Sequence, residues 1–186
     1  LTQSVGPLHT IFNKSLDEML NFSSELEGAA RKVGYSGPKL NQEALSFATT
    51  LQEITHDQEG SYQVGKRLAE VLVEDFKDLS LTAPMVNSAL SDMVQNFNMT
   101  PAAAFNNIRA MSRLAKTVDV STATVLSWEK SMAGSTREMF QNPQEAISSA
   151  SMALGSLADL FANGQASVGD YTKVLRTQRD VMGKTT

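Results

Sequence analysis

Leu114-Ala115-Lys116-Thr117-Val118-Asp119-Val120-Ser121-Thr122-Ala123-Thr124-Val125-Leu126-Ser127-Trp128-Glu129-Lys130 reads as the end of one helix, a tight turn and the start of a second helix. Ser121 stands where an N-cap is needed, because its hydroxyl oxygen can accept from the unsatisfied amides of the turn that follows. Asp119 occupies the turn, and aspartate tolerates a left-handed backbone better than most residues, though less readily than glycine. The second helix carries Trp128, the only Trp of the chain. The joint therefore specifies a sharp reversal of chain direction between two helices.

On both sides of this joint apolar residues recur every three to four positions and almost nowhere alternate by two, which predicts an all-α fold. Leu8, Ile11, Phe12, Leu16, Met19, Leu20, Leu26 and Ala30 form the first stripe, ended by Gly34, Gly37 and Pro38. A second helix follows Asn41 and breaks at the polar run His56-Asp57-Gln58-Glu59-Gly60; a third carries Tyr62, Val64, Leu68, Val71, Leu72, Phe76 and Leu79. Beyond it, capping residues predict helix starts at Thr82, Thr100, Ser121, Asn142 and Ser167. Pro101 and Pro143 strengthen two of these, since proline at the first helical position gives up an amide that lacked a partner anyway. The spacing predicts an array of antiparallel helical hairpins, a bundle of about seven to eight helices. The acidic part ends near Leu79-Ser80-Leu81-Thr82, which divides the chain into an N-terminal hairpin region at 1–80 and a C-terminal multi-helix region at 81–186.

The helix expected from Pro143 to Ala162 is rich in Ala, Ser and Gly around Ile147, Met152, Leu154, Leu157 and Leu160. Small residues let helices approach closely but bury little area each, at roughly 25 cal/mol per Å² of apolar surface. Such a helix needs neighbours that clamp it, within the bundle or in a second subunit.

Composition removes several function classes. Among 186 residues there is no Cys, so disulfide frameworks, thiol catalysis and Cys-ligated zinc are excluded together. The histidines are His9 and His56, and neither has a partner three or four residues away for a helical metal pair. Adjacent carboxylates such as Asp17-Glu18 and Glu74-Asp75 diverge on a helix. No nucleophile, base and orienter can be nominated together, so the chain reads as a non-enzyme without cofactor or metal. A net charge of −4 argues against a basic face along the whole chain. The balance is uneven, with three Lys/Arg against seven Asp/Glu in 57–98 and five against three in 99–140. No secretion signal or membrane span is visible, because Ala146–Ala162 is interrupted by serines and Asp159. The start at Leu1 reads as a processed or partial form of a longer chain.

Two resemblances give the joint a function. Leu114-Ala115, Val118, Val120-Ser121, Val125 and Trp128-Glu129 resemble the repressor-type helix-turn-helix, whose second helix lies in the major groove. That resemblance implies a DNA-binding regulator with Lys116, Thr122, Thr124, Ser127 and Lys130 facing groove or phosphate. Thr122, Ala123 and Thr124 supply no bidentate reader of a base edge.

The run Val120 to Trp128, the polar stretch through Arg137, the small-residue helix with Leu154, Leu157 and Leu160, and then Asn163-Gly164 and Ser167-Val168-Gly169-Asp170-Tyr171 resemble bacteriophage tail tape-measure proteins. The resemblance spans residues 82–182 and implies a structural virion protein that packs helix on helix with itself or neighbouring subunits. A homo-oligomer located in a virion or the cytoplasm follows from it. Trp128, Val125, Leu154, Leu157 and Phe161 are then the expected packing and partner-contact residues. This assembly reading uses more of the chain, and the DNA-binding reading is its alternative.

Overall fold

A computed structural model describes residues 13–21, 24, 28, 52, 56–60, 62, 63 and 83–185. The described residues are helical or in turns, with no strand among them, and the fold is an all-α helical bundle. Five long helices follow one another: α1 at Ala83–Phe97, α2 at Pro101–Thr117, α3 at Thr122–Thr136, α4 at Pro143–Ala162 and α5 at Val168–Thr185. A single turn of 3-10 helix at Arg137–Met139 follows α3. The expected boundary at residue 80 lies outside the described residues, as do most of the first three expected helices. The chain forms two compact units, one of Leu1–Gln95 with Met99–Arg109 and one of Asn96–Asn98 with Ala110–Thr186.

Each long helix begins one residue after an expected cap. The Ala103 amide donates to Thr100 Oγ1 at 3.2 Å, the Thr124 amide to Ser121 Oγ at 3.1 Å and the Glu145 amide to Asn142 Oδ1 at 3.0 Å. At α5 the exchange is reciprocal: the Asp170 amide donates to Ser167 Oγ and the Ser167 amide to Asp170 Oδ2, at 3.3 and 2.9 Å. Two orphan donors are satisfied there at once. Thr82, ahead of α1, lies outside the described residues.

The helix ends are equally local in origin. After α4, Gly164 takes φ 69°, its amide donates to the Phe161 carbonyl, and the Gln165 amide reaches back to Leu160 at 2.8 Å. That is a Schellman stop, and glycine adopts it at no steric cost. After α2 the same geometry is built on Asp119, at φ 56°, with the Val120 amide donating to Ala115 at 3.0 Å. A side chain in this region costs about 1–2 kcal/mol, against about 0.5–1 kcal/mol for glycine's extra chain entropy. Asp119→Gly is therefore expected to stabilise the fold by up to about 1 kcal/mol, read as a higher denaturation midpoint; a lower midpoint would show that the aspartate contributes a bond the turn needs.

In the first unit, residues 16–21 form a helix capped by Ser15, whose amide and hydroxyl both donate to Glu18 Oε2. Those two bonds, the backbone one foremost, hold the Glu18 carboxyl below the usual range. Lys14 pairs with Glu59 at 2.6 Å and lies 4.9 Å from the Tyr62 ring centre. Its hydrogen bond to Glu59 raises the ammonium above its ordinary value. The polar run at His56–Gly60 holds the expected break: His56 takes φ 53°, residues 56 and 57 are non-helical, and a new helix starts at residue 58 with the Gly60 amide donating to Asp57 Oδ1 at 2.8 Å. Val86, Leu90, Met93, Val94 and Phe97 bury one face of α1, and Ala104, Phe105 and Ile108 one face of α2.

In the second unit α3, α4 and α5 run up, down and up. Ser135 bonds Thr172 at 2.7 Å and Arg176 meets Glu138 at 3.4 Å. The sequence offset between partners is nearly constant, so α5 runs parallel to the end of α3 and packs directly on it, while α4 packs on α3 in the opposite direction. Arg176 reaches Glu138 within the 3-10 turn, and the last nine residues of α5 continue past that contact for about 13 Å at 1.5 Å per residue.

Candidate functional site

The seam of α3, α4 and α5 gathers most of the residues that the sequence nominated. Along α3 the buried residues are Thr122, Val125, Leu126, Glu129, Met132, Ala133 and Thr136, a stripe with helical spacing. Along α4 they are Ala146, Ile147, Ala150, Leu154, Ala158 and Phe161. The small residues of α4 thus divide by type. Ala146, Ala150 and Ala158 face inward and allow close approach, Ser149 and Ser151 reach across to neighbouring helices, and Ser148, Gly155 and Ser156 face outward.

Of the expected packing residues, Val125, Leu154 and Phe161 are buried, and each removes about 1.5–3 kcal/mol worth of apolar surface from water. Leu157 is half-buried. Trp128 is also half-buried, one position off the α3 stripe, and meets the Phe161 ring with centres 5.4 Å apart and planes tilted by 37°. A tilted aromatic pair of this kind adds about 0.5–1.5 kcal/mol beyond its area. The tryptophan is thus a lid on the seam and not its centre.

The residues expected to face DNA separate. Lys116, Ser127 and Lys130 are exposed. Thr124 is half-buried, its hydroxyl 2.7 Å from that of the cap Ser121. Thr122 corrects the expectation: it is 1% exposed, and its hydroxyl lies 3.4 Å from Ser112 Oγ. It falls three residues before Val125 and so joins the inward stripe, where it cannot reach a groove.

The residue that sequence reasoning missed is Glu129. It is 0% exposed at the middle of the α3 stripe, and Ser151 Oγ on α4 donates to its Oε2 at 2.5 Å. Glutamate is almost never fully buried without partners. Position 129 shares a face with 122, 125, 132 and 136, but nothing near it in sequence offers its carboxyl a partner, so its burial was not legible.

Two more polar links cross the seam, Ser149 to the Tyr171 hydroxyl at 2.8 Å and Ser135 to Thr172. Among the described residues no group of three acidic or histidine side chains could hold a metal ion, and no helix is long and apolar enough to cross a membrane. The arrangement offers helix faces and buried polar links, with no reacting pair in the seam.

Apolar side chains also face outward. Met152 on α4 is 79% exposed, and Val174, Val181 and Met182 on α5 are 55%, 57% and 69% exposed. The C-terminal part of α5 borders a groove of about 570 Å³ shared with Met139 and Phe140. No family model, curated protein or solved structure matches the chain.

Proposed function

We propose that the chain is a structural subunit that assembles by packing its helices against copies of itself, of the kind found in a bacteriophage tail or a related virion assembly. The observation that carries this reading is the row of exposed apolar side chains on α4 and α5. A large side chain such as Met152 stands on an outer face whose neighbours Ser148, Gly155 and Ser156 are small, so a second helix could approach closely there. The succession of capped helices over residues 82–182 supports the tape-measure resemblance as the finer form of the proposal.

The helix-turn-helix reading has less support. Helix α2 runs unbroken for 17 residues into the turn, whereas a repressor-type motif enters from a short helix. The burial of Thr122 removes one of its five contact residues. Lys116, Ser127 and Lys130 keep it open as the second choice, tested by duplex binding that falls with salt and with Lys116→Glu or Lys130→Glu.

Assembly is tested by the native mass of the chain as a function of concentration. The expected result is a mass above one chain that rises with concentration. Met152→Lys and Val174→Lys should each weaken association by at least about tenfold, since burying such a side chain is worth about 1.5–3 kcal/mol. A mass of one chain at every concentration, in the parent and both variants, would falsify this reading.

A further inference from the structure

All nine methionines of the chain lie among the described residues, and they fall into three environments. Met19, Met93, Met111 and Met132 are buried. Met85, Met99 and Met139 are half-buried, whereas Met152 and Met182 present most of their surface to water. The chain has no Cys, so no thiol competes for a soluble oxidant. A thioether reacts according to how well the oxidant reaches its sulfur.

We propose that Met152 and Met182 are the sites at which hydroperoxides oxidise this protein, and that oxidation there leaves its helices intact. In the step, a sulfur lone pair attacks one peroxide oxygen, an S–O bond forms and the O–O bond breaks. Sulfur gives up two electrons and becomes the sulfoxide. The leaving oxygen departs as water when the oxidant is hydrogen peroxide, after taking up the proton from the transferred oxygen. A sulfoxide is polar where the thioether was apolar. At Met182 the change adds a dipole to the wall of the groove that Met139, Phe140 and Leu175 also line. At Met152 it makes the outer face of α4 polar. Neither residue belongs to a buried stripe, so the seam of α3, α4 and α5 keeps its packing. On the assembly reading both side chains are covered between copies, so the inference concerns the dissociated chain and is tested at a concentration at which the native mass is that of one chain.

The test is a time course of the whole folded chain in dilute hydrogen peroxide, with peptide mapping by mass spectrometry and helix content followed by circular dichroism. One added oxygen on each of Met152 and Met182 is expected in the fast phase, with helix content unchanged. The four buried methionines should oxidise only after denaturant is added. The Met152→Leu, Met182→Leu double variant should lose the fast phase while keeping its helix content. A fast phase on Met19, Met93, Met111 or Met132, a fast phase that survives in the double variant, or loss of helix as the fast phase completes would overturn the proposal.

Discussion

Leu154→Ala is expected to cost about 2–5 kcal/mol, the range for deleting a fully buried leucine, and to be the most damaging of the leucine truncations on α4. Leu154 has no exposed surface and sits between Ala150 and Ala158 on the same inward face. The cost of such a deletion depends on how far the surroundings can collapse into the space left behind. Alanines cannot extend into it, and caps at Asn142 and Gly164 fix both ends of the helix. The value should therefore lie in the upper half of the range. Leu157→Ala, at a half-buried position, should cost less, and Leu160→Ala, 38% exposed, least of the three. Denaturant midpoints measured at constant slope would give this order. Equal losses at 154 and 160 would mean that α4 is rotated from the face described here.

The second large effect is expected at the Glu129–Ser151 link. Ser151→Ala removes a hydroxyl that donates to a buried carboxyl group, and a buried polar group deprived of a partner costs about 1–3 kcal/mol. Glu129→Gln keeps the shape and an acceptor oxygen, so it should be milder than Glu129→Ala, which also leaves a cavity. In a double-mutant cycle over Glu129→Gln and Ser151→Ala the two residues should couple by about 0.5–3 kcal/mol, as side chains in contact do. Strict additivity would separate them. The link also has a steric consequence for pairing: sliding α4 along α3 by one turn would strand the carboxyl opposite Ile147 or Leu154, so the polar contact favours one register over its neighbours.

Which features could be read from sequence follows from how far apart their causes lie. The helix starts at Thr100, Ser121, Asn142 and Ser167 were legible because a cap is an interaction over three residues. So was the stop at Asn163-Gly164, where backbone freedom at one residue decides the outcome. The burial of Val125, Leu154 and Phe161 followed from period and polarity together. Glu129 was not legible, because its partner Ser151 lies 22 residues away on another helix. Thr122 was misread for another reason. The helix-turn-helix resemblance set it toward a groove, although its spacing from Val125 and Glu129 placed it on the inward stripe. Trp128 was expected as a packing or partner-contact residue, and its angular position on α3 leaves it half-buried at the edge of the stripe.

The three inward alanines of α4 also bear on how the second unit responds to temperature. Ala146, Ala150 and Ala158 expose little hydrocarbon when the helix separates from its neighbours, while the serines outside are already hydrated. The heat-capacity increment of unfolding comes mainly from newly wetted apolar area, at about 12–15 cal/mol/K per residue in ordinary domains. These alanine positions contribute less than their share, and Ile147, Leu154 and Phe161 on the same face supply most of the increment of α4. The temperature dependence of its packing is therefore set at three large side chains and not along the whole inward face.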